Sequence, residues 1–429
     1  MYKRQIHGFF KPLTIYPIEP GEIDLSAETI TPQGNLRVRL ALTLAVQRDR
    51  VTRLHSTYNG RYAELLIAPL VQDLLRKAWK GPQDERHSQE LSTQMLAQLA
   101  PSLKPYGVDL TEVEIKSIEL ERNARDAGIA RRARQYGGKV IIIGSDAFDW
   151  EIFKQVSAKH RLPNIERMIR EGASGDLISV EPLISPMIWT TMATGVEPQV
   201  HGIIDFVVHD ETTGEDIPIT SDMRRVPAIW NIATRFGLSA GFVGWLGSYP
   251  AEPVTGFIVS DRIVYHVFDP RWQKGEAQSE AEDIEGLVYP PDLLPEIKPL
   301  VRGPEDISYE ELSQYVRISR AEAATEGSTF DRLDPIRNLK LVIAANTTHE
   351  RIARRAYEKF RPRVFGVYLD MVDTMCHLFI KYMAPPMPDV SKEDVSKYED
   401  AVAAAYVHTD SLIGEWLKIM DDSTTLLLI

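Results

Sequence analysis

Apolar and polar positions alternate with two different periods along the chain, and the change from one to the other marks out its elements. Leu36–Val46 (LRVRLALTLAV) begins with the two-residue alternation of a half-covered strand, and the TPQGN before it is turn chemistry. Val51–Trp79 and Ser88–Leu103 carry the helical period and are split by KGPQDER. Gly107-Val108-Asp109 leads into a second alternating strand, Val113–Leu120. The following ELERNARDAGIARRARQ is charged and Ala-rich, and predicts a helical connector.

Beyond the connector the pattern changes. Val140–Ile143 is a short apolar run of the buried parallel-strand kind, closed by Gly144. LPNIERMIREGA predicts an amphipathic helix with Leu162, Ile165, Met168 and Ile169 on one face and Gly172 as its stop. Ser185-Pro186 starts another helix, which runs to Gly195 and holds Thr190, Thr191 and Thr194. DFVVHDETTGEDIP reads as a hairpin, VPAIWNIATRFG as a helix ending on Gly237, and LSAGFVGW and YPAEPVTGFIVSDR as strands. Asp261 and Arg262 close the second of these, either bordering a cleft or forming an internal salt bridge. Pro270 to about Asn338 lacks periodicity and suits an insertion or cap. NTTHERIARRAYEKF predicts a helix with an Asn/Thr cap. Val364–Leu369 predicts a strand, Tyr406–Met420 a helix, and Asp421–Ile429 a turn leading into a buried strand.

Two strand ends carry chemistry. In open α/β sheets ligands collect at the carboxyl ends of strands, so Asp146 is well placed, with Asp149 second. After Val364–Leu369 come Asp370, Asp373 and His377. Asp373 and His377 are four residues apart, so one helical turn puts both on one face, within reach of one ion. Carboxylate plus imidazole suits zinc, manganese or iron rather than calcium. Asp370 is the nearest rival ligand. Cys376 sits to one side of that face and reads as core.

From Gly137 to Gly202 the chain resembles the type I phosphodiesterase/nucleotide pyrophosphatase branch of the alkaline phosphatase superfamily. The resemblance rests on the strand-end Asp, the T-G pair at Thr194-Gly195 and the E-P-x-x-H-G-I of Glu197 to Ile203. It is extended by PAIWNI and by YPAEPVTGFIVSDR. It implies an alkaline-phosphatase-like doubly wound sheet over residues 139–429, with a cap at about 270–338. It also implies a nucleophile four residues before the Gly, which selects Thr191. Asp373 and His377 are then two ligands of one metal, while Asp146 and Thr191 bind the other, the ions being zinc or manganese. The implied reaction is a two-metal phosphoric ester displacement through a phospho-threonine, with the amides at the start of the 186–194 helix holding phosphoryl oxygens. Sulfatases of the same fold need C-x-P-x-R, and Cys376 is followed by His-Leu-Phe, which excludes them. A phosphomutase or phosphonate hydrolase would use the same metal centre. A scaffold carrying a non-catalytic phosphodiesterase-like domain is the reading from outside enzymology.

The strand–helix–helix–strand order of residues 6–120 resembles the band 7 (prohibitin/stomatin-like, SPFH) domain. Its motifs are the turn Thr31–Gly34, the Tyr62–Val71 helix and Leu103–Leu110 before the last strand. This smaller α+β domain is joined to the second by the connector 121–138. The resemblance implies homo-oligomerisation and membrane association, while PAIWNI and YPAEPVTGFIVSDR, which resemble bacterial members of the phosphodiesterase family, imply a bacterial source. A phosphate-ester small molecule or a lipid headgroup is the expected substrate.

Composition adds limits. The 429 residues, 44% hydrophobic, suit two or three domains. A net charge of −12 argues against binding a nucleic-acid polymer, and one cysteine excludes an internal disulfide. No apolar stretch reaches the roughly 18 residues of a membrane span. Both ends read as cut. MYKRQ looks like translated adapter sequence, with native sequence expected from near Ile6, and DDSTTLLLI stops inside an apolar strand. In the resembling family that strand leads to Ser-Asp-His-Gly and then one more His, which complete the two metal sites. The residues given would therefore bind metal weakly and turn over little.

Overall fold

The computed structural model describes residues 16–31, 34–58, 61–78, 85–121, 124–210, 214–264, 285–324 and 334–429. The expected native start near Ile6, the middle of the Thr31–Gly34 turn, most of KGPQDER, the tip of the hairpin and residues 270–284 and 325–333 of the expected cap lie outside them. The chain forms two compact units, Met1–Gly128 and Ile129–Ile429.

The first unit is a three-stranded antiparallel sheet ordered β1 (Gly21–Thr31), β2 (Gly34–Val46) and β3 (Val108–Glu121). Leu36, Val38, Leu40, Leu42 and Leu44 of β2 are all buried, the outcome its alternation requires. Three helices follow β2: α1 (Val51–Tyr58), α2 (Ala68–Ala78) and α3 (Glu85–Leu103). The stretch expected as one helix, Val51–Trp79, is therefore broken, with a π-helical turn at Ala63–Ile67 before α2. The charged connector also starts later than expected. Glu119–Glu121 finish β3, and the helix α4 spans Ala124–Gln135.

The second unit is built on a six-stranded sheet. Its strands are β4 (Lys139–Ser145), β7 (Ala240–Val243), β8 (Gly256–Val259), β9 (Val288–Tyr289), β10 (Val364–Leu369) and β11 (Thr424–Leu428), in the order β11-β4-β10-β7-β8-β9. All pairs are parallel except β8 with β9. Outside it, β5 (Val207–Asp210) and β6 (Glu215–Pro218) make the expected hairpin.

Side chains of the central strands alternate between two cores. Ile141, Ile143, Phe365, Val367, Val243 and Phe257 pack on one face with α5 (Trp150–Ser157), α6 (Pro163–Glu171), α10 (Pro335–Phe360), α11 (Met371–Phe379) and α12 (Ala401–Ile419). Ile142, Tyr368, Phe242 and Ile258 face the other way, against α7 (Ser185–Thr194) and α9 (Ile229–Arg235). Between α7 and the hairpin lies the short α8 (Pro198–His201).

Three expectations change here. The segment taken as a cap carries β9, and its Leu287, Leu293, Ile297 and Leu312 belong to the main core, so its described part is integral to the sheet unit. The helix placed at Asn346 starts at Pro335, capped by the Asp334 side chain, which accepts from the Arg337 amide at 2.9 Å. Asn346 and Thr347 lie inside it and bond back to the carbonyls of Val342 and Ile343. Finally, β11 is an edge strand whose side chains alternate between half-buried and exposed, so it is not a buried one.

A charged contact ties α12 to α10. His408 meets Glu350 through Nε2 at 2.6 Å and the Tyr315 hydroxyl through Nδ1 at 3.0 Å. Burial works to lower the His408 pKa, but the charge and hydrogen bond of Glu350 outweigh it and raise the value above that of a free histidine. A raised histidine stabilises the fold fully below its unfolded pKa and loses that increment as pH climbs through the folded value. Glu350→Gln is expected to cost about 1–3 kcal/mol near pH 6 and clearly less above the raised pKa. Melting temperatures of both forms from pH 6 to 9 test this; a constant difference would show that the pair is not charged.

Candidate active site

Asp146 follows β4 directly. Its amide donates to the Leu369 carbonyl of β10 at 2.9 Å, which locks the ends of the two strands together. Its Oδ1 accepts from the Ala147 amide at 3.0 Å, and its Oδ2 accepts from the Tyr368 hydroxyl at 2.8 Å. Tyr368 is buried on β10, and it had no part in the sequence reading. Asp149, the second candidate, is the cap of α5. Its Oδ1 accepts from the amides of Glu151 and Ile152 at 2.8 and 2.9 Å, so its role is structural.

The other strand end behaves likewise. Asp370 sits at the start of α11 and accepts from Asn346 Nδ2 at 2.8 Å and from the Thr374 hydroxyl at 3.3 Å. That ties it to α10. Asp373 and His377 share a face of α11 as expected, with Nε2 3.5 Å from Oδ1. The Asp373 side chain is 28% exposed and that of His377 is 79% exposed. Burial, followed by the charge of Asp146, pushes the Asp373 carboxyl up to about 6. His377 pulls the other way, and Asp370 adds a smaller upward push. Asp146 and Asp373, which follow adjacent strands, are thus near enough for the charge of one to act on the other. Burial and the Asp373 and Asp149 charges push the Cys376 thiol up to about 12, so it stays a neutral packing group.

The helix α7 lies over these ends. A Cβ on Gly144 would come within 2.5 Å of the Trp189 ring, so that glycine is what lets the indole seat on β4. Trp189 also meets Tyr368 edge-on, with centroids 5.0 Å apart. Pro186, at the start of α7, shares a cavity of about 20 Å³ with Gly247, Asp261 and Arg262, beyond the carboxyl ends of β7 and β8. The beginning of α7 therefore points to the end of the sheet where Asp146 and Asp373 lie.

Facing then follows from helical geometry. Each residue turns about 100°. Ser185, one turn before Trp189, shares the face that packs toward Gly144 and Tyr368. Thr191 is about 200° from Trp189 and points elsewhere. Its hydroxyl donates to the Met187 carbonyl at 2.9 Å and meets His201 Nε2 of α8 at 2.9 Å. Asp261 accepts from the Gly247 amide at 3.0 Å, and Arg262 donates to the Ile219 carbonyl at 2.9 Å while lying 4.6 Å over the Tyr249 ring.

The family model of type I phosphodiesterase / nucleotide pyrophosphatase matches residues 140–429. The chain belongs to this family. Membership places its sheet unit in the alkaline-phosphatase-like class, and the SPFH domain / Band 7 family model matches residues 4–137. No curated protein matches the chain. Among solved structures it is similar to murine ectonucleotide pyrophosphatase / phosphodiesterase 5. The identity is 12% and the TM-score 0.34, over 68% of this chain and 56% of that one. It is also similar to phosphonoacetate hydrolase from Sinorhizobium meliloti 1021, solved in complex with phosphonoacetate. There the identity is 16% and the TM-score 0.34, over 66% of this chain and 54% of that one. The chain thus spans little more than half the length of either.

The phosphodiesterase family is metal-dependent. Among the described residues no three His, Cys, Asp or Glu side chains are grouped to hold an ion. The donors still fit one in kind. Two carboxylates after neighbouring strands, one with its pKa raised by burial and then by the other's charge, gain from a nearby cation. Among the described residues no helix is long and apolar enough to cross a membrane.

Proposed function

We propose that the sheet unit is a metal-dependent phosphoric ester hydrolase of the phosphodiesterase type, tethered to an SPFH module. What supports this is the placement of Asp146 just after β4 and of Asp373 and His377 on α11 just after β10, with burial and then the Asp146 charge pushing the Asp373 carboxyl up to about 6. Asp373 and His377 would hold one divalent ion, zinc or manganese, and Asp146 a second. When bound, such ions lower the pKa of a nearby hydroxyl and neutralise phosphoryl oxygens. Tyr368 orients the Asp146 carboxylate through its 2.8 Å hydrogen bond.

We further propose that Ser185, rather than Thr191, presents the reacting hydroxyl. Its support is the face it shares with Trp189 and its place in the first turn of α7. Amides in that turn have no intrahelical partner and favour an anion, so the phosphoryl oxygens would meet them there. Thr191 lacks both supports, and its hydroxyl is engaged with Met187 and His201. The substrate class is a small phosphate ester or a lipid headgroup, with the SPFH module setting oligomerisation and membrane association.

Bis-p-nitrophenyl phosphate tests the reading. Zn²⁺ or Mn²⁺ should bring hydrolysis above the background of metal in buffer, and a chelator should remove it. Asp373→Asn should not respond to added metal. Equal hydrolysis by wild type and Asp373→Asn would refute the assignment.

A further inference from the structure

The contact between α7 and α8 has a fixed direction. His201 is fully buried. Its Nδ1 lies 3.2 Å from the Ile203 amide, which can only donate, so Nδ1 accepts and the neutral ring carries its proton on Nε2. Nε2–H then donates to Thr191 Oγ1 at 2.9 Å, and the Thr191 hydroxyl spends its own proton on the Met187 carbonyl at 2.9 Å. The order runs from the Ile203 amide through His201 and Thr191 to Met187, in the first turn of α7. A ring protonated on both nitrogens would set N–H against N–H at Ile203.

The surroundings favour the neutral ring. Burial, followed by the charge of Arg224, holds the His201 pKa below that of a free histidine. Gly202, at φ +83°, lets the Arg225 side chain pack where a Cβ would collide with it. The Arg225 amide meanwhile donates to the His201 carbonyl at 3.0 Å. The backbone that carries the imidazole is thereby fixed as well.

We infer that His201 is a positioning residue: through Thr191 it fixes the first turn of α7, and with it the Ser185 hydroxyl over Asp146. The role at Ser185 rests on the function proposed above, whereas the tautomer lock does not. The same lock bars His201 from acting as a base toward Thr191, because Nε2 already carries a proton.

Two measurements separate these parts. Nitrogen NMR of the full chain labelled in histidine should show, for one buried ring, a protonated Nε2 and a bare, hydrogen-bonded Nδ1. The Nε2 signal should shift in Thr191→Val and stay in Thr191→Ser, which keeps the hydroxyl. A proton on Nδ1, or an Nε2 signal indifferent to Thr191→Val, would overturn the inference whatever Ser185 does. In hydrolysis of bis-p-nitrophenyl phosphate with added Mn²⁺, Thr191→Val should lower kcat roughly ten- to hundredfold with KM little changed, and Thr191→Ser should restore it. An unchanged kcat in Thr191→Val would also overturn it. Full activity in Ser185→Ala would instead remove the proposed nucleophile and leave the lock standing.

Discussion

Ser185→Ala is expected to abolish metal-stimulated hydrolysis, a loss of at least about a thousandfold in kcat, because nothing replaces an absent nucleophile. Thr191→Val keeps the shape of the side chain and removes only the hydroxyl. If Thr191 were the nucleophile, its loss would be as large as the one expected for Ser185. The geometry instead predicts a moderate defect, since the Thr191 hydroxyl is spent on Met187 and His201, on the side of α7 away from Trp189. Both variants should fold. Ser185 is a partly buried first-turn residue whose side chain does not cap the helix, and Val preserves the volume of Thr191. The decisive measurement is kcat for the two variants side by side with equal added Mn²⁺. A larger loss at Thr191 than at Ser185 would return the role to Thr191.

The same two residues show where sequence reading stops. Counting back from Gly195 finds a position along the helix, but the face of α7 that meets the sheet depends on Trp189 seating against Gly144, a contact between segments about 45 residues apart. Local signals served well. Pro186 inside the start and Gly195 at φ +69° just past the end bounded α7 correctly. The Asp373–His377 spacing and the apolar runs of β4 and β10 were legible for the same reason.

Signals with two meanings misled. Asn346, Thr347 and Thr348 have the composition of a cap, yet they sit mid-helix, where the Asn346 side chain donates to Asp370. The start of that helix was written in Asp334-Pro335. In the first unit, β1 escaped notice. Its inward Leu25, Ala27 and Thr29 alternate with Glu22, Asp24 and Glu28, and two of those three inward positions are small or polar. Its pairing with β2 from Gly34 to Leu44 settles it as a strand. Tyr368 and His201 act through partners in other segments, so only the fold could reveal them.

The Asp146–Asp373 pair makes the second large prediction, and it concerns pH. Burial and the Asp146 charge raise the Asp373 pKa to about 6. A carboxyl whose pKa is raised by folding stabilises the metal-free protein fully below its unfolded value and loses that increment as pH rises through the folded one. The metal-free chain should therefore lose melting temperature as pH rises from about 4 through 6, and Asp146→Asn should shrink the drop without removing it, because burial remains. A divalent ion must displace the proton from Asp373. Apparent affinity for Zn²⁺ should then fall about tenfold for each pH unit below 6 and level off above it, apart from the ion's own hydrolysis. Asp373→Asn should make that dependence shallower, because the neutral ring of His377 is still required, and weaken binding at pH 7 by about a hundredfold or more, beyond the loss typical of an outer-shell partner. Competition against a chromophoric chelator at pH 5, 6 and 7 measures all of this. An affinity for Zn²⁺ equal in wild type and Asp373→Asn at pH 7 would mean that the ion binds elsewhere, and the pair of carboxylates would then be a destabilising contact that no metal relieves.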